Sequence, residues 1–230
     1  MMAEPPAGEA GFREQFTRFA EEIRHLVNAV FGGDVDVSVT DADHRSQIVA
    51  DVPLTVEGQN LARLKIDLWC CLDSHQQYLA VEESTYQLVA QVDRAPIFRF
   101  EYERAARSKP AAHVQIHAHR GALSHLLSQA RHLTPHSMES LHLPVGGDRF
   151  RPCLEDVIEF LVVECRFDST AGWRAAVQAG REQWRRTQTR TVVRDSPGEA
   201  AAALRALGYT VEAPGSAADP QDDVVRMRRW

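Results

Sequence analysis

The chain has 230 residues, enough to bury a sizeable core, and its 44% hydrophobic and 25% charged residues are ordinary for a globular protein. A net charge of −6 excludes a chain-wide basic footprint for nucleic acid, though not a local one. No apolar run reaches membrane-spanning length, and MMAEPPAGEAGF lacks the basic start and apolar stretch of a secretory signal, so a cytoplasmic protein with no membrane contact is expected.

Residues 1–10, rich in Ala, Glu, Pro and Gly, predict a flexible N-terminus. From Phe12 to Phe31 the apolar residues Phe12, Phe16, Phe19, Ile23, Leu26, Val27 and Val30 recur at helical spacing, and Gly32 and Gly33 end the helix. The period then switches to alternation. DVDVSVT places Val35, Val37 and Val39 on one face, and QIVADVPLTV continues as a strand with Pro53 at a bulge or an edge. After the turn EGQN, LARLKIDLWCCL alternates, with Leu64, Ile66, Leu68 and Cys70 inward and Arg63, Lys65 and Asp67 outward. DSHQQ turns again. Tyr86, Leu88, Ala90 and Val92 mark the next strand, and DRAP the next turn. IFRFEYE points Phe98, Phe100 and Tyr102 inward, and RAARSKPAA leads into HVQIHAH. Successive strands with short connections predict an antiparallel meander.

Leu123, Leu126, Leu127 and Ala130 mark a short helix; MESLHLP reads as one more strand and GGD as a turn. RPCLEDVIEFLVVECR is helical in period, with Pro152 in its first turn and Glu155 and Asp156 facing its dipole. A further helix over about 170–191 carries Trp173, Val177 and Trp184 on one side and Arg174, Gln178, Arg181 and Arg185 on the other. That basic side is either a solvated helix face or a surface for nucleic acid or an acidic partner. SPGE is a capping-box signature for a last helix ending at Gly208, YTVE a short strand, and GSAADPQDD a disordered stretch. The expected fold is α+β: an antiparallel meander sheet of about six strands, a long N-terminal helix and C-terminal helices. Its domain would span 11–167, with 168–230 a helical C-terminal extension and flexible tail. Cys70, Cys71, Cys153 and Cys165 form no CxxC, which argues against a zinc knuckle and for buried, reduced thiols.

The functional information is concentrated in HVQIHAH. As a strand it sets His113, Gln115, His117 and His119 against Val114, Ile116 and Ala118. If RAARSKPAA closes a symmetric hairpin, Glu103 faces His113, Glu101 faces Gln115 and Arg99 faces His117. Three chemistries fit this face. In the first, His117, His119 and His113 act as acid and base with Glu101 orienting one imidazole, and Arg99 holds phosphate with help from Arg104, Arg107 and Lys109. RNA suits that set, because its own hydroxyl supplies the nucleophile. In the second, His117 and His119 chelate a divalent metal. In the third, the face is solvated or covers a protein partner. His142 joins the same group if LHLP adjoins the sheet; His125, His132 and His136 read as surface histidines. VGGDRF is a turn and not a phosphate loop, since no helix follows in register.

The order FRFEYER, basic loop, HVQIHAH, LHLP and CLEDVIEFLVVE resembles TumE-type toxins of bacterial toxin–antitoxin pairs over about residues 97–165. It is also similar to uncharacterised actinobacterial proteins with the same segment. TumE-type proteins are much shorter, and Glu101 and Glu103 stand where that family has an aspartate. The resemblance implies a nucleic-acid-directed, toxin-like activity involving His113, His117 and His119. The expected protein is thus toxin-like or defence-associated, with RNA as substrate and a cognate antitoxin or other protein as partner.

Overall fold

A computed structural model describes residues 9–42, 44–73, 76–93, 95–118, 121–129, 131–145, 149, 151–212 and 222–227. The expected N-terminal loose stretch (save its last two residues), the GGD turn, His119 and most of GSAADPQDD lie outside these residues.

Helix α1 (Glu9–Phe31) buries the stripe Phe16, Ile23, Leu26, Val27 and Val30. Gly32 and Gly33 stop it at φ 72° and 83°, a left-handed backbone that only glycine adopts without cost. The Asn28 side chain then accepts a 2.8 Å bond from the Val35 N–H and steers the chain toward the sheet.

The sheet has seven strands in sequence order, each antiparallel to the next. They are β1 (Val37–Ala42), β2 (Arg45–Val56), β3 (Gln59–Leu72), β4 (Leu79–Ala90), β5 (Pro96–Glu103), β6 (Ala112–Ile116) and the two-residue β7 (Leu143–Pro144). Alternation decides which face is dry. Ile48, Val52 and Leu54 of β2, Leu64, Ile66 and Leu68 of β3, and Tyr86 and Leu88 of β4 form one buried surface. Helix α1 packs on it, as does α3 (Leu154–Val163) through Leu154, Val157, Ile158 and Leu161. Phe98 and Phe100 extend the core to β5, edge-on to Phe160 at 5.2 and 6.3 Å. Each such large side chain contributes roughly 1.5–3 kcal/mol by leaving water. The other face is polar and cross-linked by pairs such as Gln47–Asp67 at 2.8 Å and Arg63–Asp51 at 2.6 Å. The fold is therefore the α+β meander that the alternation predicts.

Several details depart from that expectation. Val39, in the same alternation as the buried Val37, is 54% exposed on the edge strand β1. Val92 is 98% exposed in the turn after β4. Pro53 lies on a stretch of β2 that β1 does not reach, and the bulge falls after it, at Leu54/Thr55. β6 ends at Ile116, so the histidine strand is shorter than HVQIHAH. MESLHLP is a 3-10 turn (Met138–Ser140) followed by β7. Pro152 precedes α3, whose N-cap is Cys153. Ser196 forms no side-chain cap on α5 (Pro197–Ala206); the Asp222 carboxylate accepts the Gly198 N–H instead, at 3.1 Å. YTVE is not a strand. α2 (Gly121–Gln129), α4 (Trp173–Asp195) and the short α6 (Val224–Met227) complete the described helices, none of them long and apolar enough to cross a membrane.

α4 adds Val177 to the core but spends two of its expected free arginines on α3: Arg181 binds Asp156 and Glu159, and Arg174 binds Glu159. Where α4 crosses the start of α3, a Cβ on Gly180 would lie 2.5 Å from Glu155 Oε1 and 3.2 Å from its Cγ. Glu155 is buried, and burial pushes its carboxyl above the ordinary value. In an open helix Gly→Ala gains about 1 kcal/mol. Here Gly180→Ala is expected to destabilise by about 1 kcal/mol through overpacking, read by chemical denaturation.

Asp168, in the α3–α4 connection, clamps the β2–β3 turn. Its carboxylate accepts bonds from Gly58 N and Thr55 Oγ1, each at 2.8 Å, and from Glu57 N at 3.1 Å. The Gly58 and Thr55 bonds hold its carboxyl below the ordinary 3.8. A carboxyl depressed in the folded state stabilises above its unfolded value and loses that contribution as pH falls through its folded value. Asp168→Asn is therefore expected to lower the Tm at about pH 7, and the difference from wild type should shrink toward about pH 3.

Candidate acid–base site

The core face accounts for Phe98, Phe100 and Tyr102 of β5. Arg99, Glu101 and Glu103 necessarily point the other way. The β5–β6 register pairs Glu101 with His113 and Arg99 with Gln115. The symmetric hairpin expected from the sequence is thus two residues out. Glu103 donates its N–H to Ala111 O, so the turn closes earlier than a loop of full length. A shift of two keeps every residue on its face, which is why the same functional groups still meet.

The chain after β6 returns across this polar face. Pro110, the 3-10 turn and β7 enclose the start of β6 so fully that His113 is 0% exposed. Its Nδ1 lies 2.9 Å from Pro110 O, and its Nε2 lies 3.0 Å from Glu101 Oε2. Both partners are acceptors, so the ring is hydrogen-bonded on both sides only when a proton is available at each nitrogen. The Glu101 side chain is 17% exposed and reaches the surface. Burial pushes its carboxyl up, but the His113 bond and the nearby charges of Arg99 and Lys109 outweigh this and hold it below its ordinary value. Glu101 is therefore an ionised carboxylate at neutral pH.

Around this pair the side chains interlock. Arg99 Nη1 lies 3.5 Å from Glu101 Oε1, and Arg99 Nη2 donates to Gln115 Oε1. Gln115 Nε2 donates to Glu139 O at 2.8 Å and to His142 Nε2 at 3.1 Å. The His142 ring stands edge-on to His113 at 4.6 Å. Burial, then the charges of His113 and Lys109, keep His142 below its ordinary value, and so favour its neutral form. The Ser137 hydroxyl bonds the Glu139 carboxylate and does most to depress it, with Glu139's own N–H and the charge of His117 adding to the effect.

The expected residues are thus divided. Glu101, Arg99 and His113 come together, with His113 as a buried support. His117 follows the strand, its N–H bonded to Ile97 O at 2.8 Å, and Glu101 pairs with His113 and not with it. Lys109 is ion-paired with Glu103 at 3.1 Å on the same side. Arg104 turns to Cys71 Sγ and Val81 O, at 3.3 and 3.1 Å, and Arg107 is exposed in the loop. His119 lies outside the described residues. Among those residues no group of three His, Cys, Asp or Glu side chains is arranged to hold a metal. All four cysteines are free thiols. No sequence pattern marks Glu139 or the Pro110 carbonyl. Both join the site through loop folding, which leaves no periodic signal.

Compared with known proteins, the chain matches no family model, no curated protein and no solved structure.

Proposed function

We propose that this face is an acid–base site that cleaves RNA, as part of a toxin-like or defence-associated activity. The observation that carries the reading is Glu101: an ionised, surface-reaching carboxylate backed by a fully buried histidine and flanked by Arg99. Glu101 takes the proton from the RNA 2′-hydroxyl as that oxygen attacks phosphorus. The P–O5′ bond breaks, and His117 gives its proton to the leaving oxygen. His113 is a positioning residue, since it cannot touch substrate. Arg99 and Lys109 offset the charge that develops on the phosphate oxygens. The resemblance of about residues 97–165 to TumE-type toxins implies a nucleic-acid target, of which RNA is the one that this chemistry suits.

The test is incubation of purified protein with a fluorogenic single-stranded RNA in the presence of a chelator. Cleavage leaving a 2′,3′-cyclic phosphate and a 5′-hydroxyl is expected. In a bacterial host, expression should arrest growth and His117→Ala should relieve the arrest. Cleavage that the chelator abolishes would point to a metal-dependent hydrolase instead. Folded protein that leaves RNA intact and growth unaffected would point to a non-enzymatic interaction module.

A further inference from the structure

The network around Gln115 leaves few polar atoms without a role. Both Gln115 amide hydrogens and its oxygen are used, and Arg99 spends both terminal nitrogens on Glu101 and Gln115. Two atoms are left over. Arg99 Nε and His117 Nε2 are each buried with no hydrogen-bond partner among the described residues. Orphaned buried polar atoms are uncommon, and each needs a physical reason.

The two orphans belong to side chains at diagonal positions of β5 and the end of β6. Arg99 stands opposite Gln115, and His117 is two residues further along the same alternation, its backbone still bonded to β5 at Ile97. The 3-10 turn links them on the other side: Glu139 O receives the Gln115 amide, and the Glu139 carboxylate feels the charge of His117. Arg99 Nε is always a donor, and His117 Nε2 becomes one when it carries the ring proton. Two donors without acceptors on one face of the sheet are groups that an oxygen ligand would satisfy.

We propose that Arg99 Nε and His117 Nε2 together seat one phosphate group. This rests on the acid–base reading for its choice of ligand, because the reacting phosphodiester must lie within reach of Glu101. The guanidinium and Lys109 supply attraction. Glu101 and Glu139 repel an anion from the flanks, so the seat is selective for a ligand that engages both nitrogens, and the affinity for a lone ion is modest.

The test uses inorganic phosphate and the full chain, followed through the imidazole nitrogen resonance of His117 and by calorimetry. Wild type should show saturable binding with a shift at His117 Nε2. Arg99→Gln and His117→Asn should each weaken binding by about tenfold or more, the loss expected for one charge-assisted bond, while each variant keeps the far-ultraviolet circular dichroism of the wild type. No saturable binding by wild type, or binding retained in both folded variants, overturns the seat. Phosphate bound as expected by a protein that does not cleave RNA supports the seat and overturns the ribonuclease reading alone. RNA cleaved by wild type that shows no saturable phosphate binding overturns the seat and leaves the ribonuclease reading standing.

Discussion

Replacing His113 by alanine should cost about 2–5 kcal/mol of stability, the range for truncating a large, fully buried side chain. His113 is fully buried and bonded at both ring nitrogens, so the variant leaves a cavity, an unpaired Pro110 carbonyl and a half-buried Glu101 carboxylate deprived of its nearest donor. Urea denaturation reads the loss. pH gives a second and independent readout. Glu101 is depressed in the folded state, so it stabilises above its unfolded value and that contribution is lost as pH falls through its folded value, in the acid range. In His113→Ala the burial that raises Glu101 is opposed only by Arg99 and Lys109. The acid loss from Glu101 should then be smaller and complete at a higher pH. A loss below about 1 kcal/mol with an unmoved acid limb would mean that the pair contributes no more than a surface contact.

Glu101→Gln should lower RNA cleavage by about 10²–10⁴-fold, the range attributed to a positioned general base. Glutamine has nearly the same shape, and its amide oxygen can still accept a bond from His113 Nε2, so the variant should fold. The loss should fall on kcat more than on KM, because the carboxylate acts on the proton in flight and not on ground-state binding. The wild-type rate should decline as pH falls through the depressed value of Glu101, and the variant should lack that limb. Equal cleavage by wild type and variant would remove Glu101 from the mechanism. Loss of both cleavage and fold would be separated by Glu101→Asp, which keeps the charge and should recover part of the rate.

These expectations depend on features that were unequally legible. The meander could be read because its signal is local. Leu64, Ile66 and Leu68 alternate with Arg63, Lys65 and Asp67, and a strand buried on one face has no other way to satisfy that pattern. The same logic placed Glu101 and Arg99 on the polar face beside His113 and Gln115. Strand ends were less legible: Val92 continues the alternation of β4 yet sits in a turn, because a hydrophobic pattern does not record where pairing stops.

The sequence by itself determined the fold class, the order of the strands and the side of the sheet on which each functional group stands, since all three follow from chain periodicity and short connections. Only the tertiary structure decided the register of two residues, the burial of His113 and the pairing of Glu101 with it instead of with His117. Those outcomes depend on where the β5–β6 turn closes and on Pro110, Glu139 and His142 folding over β6 from loops. Contacts of that kind are set by the packing of distant segments, for which periodicity carries no signal.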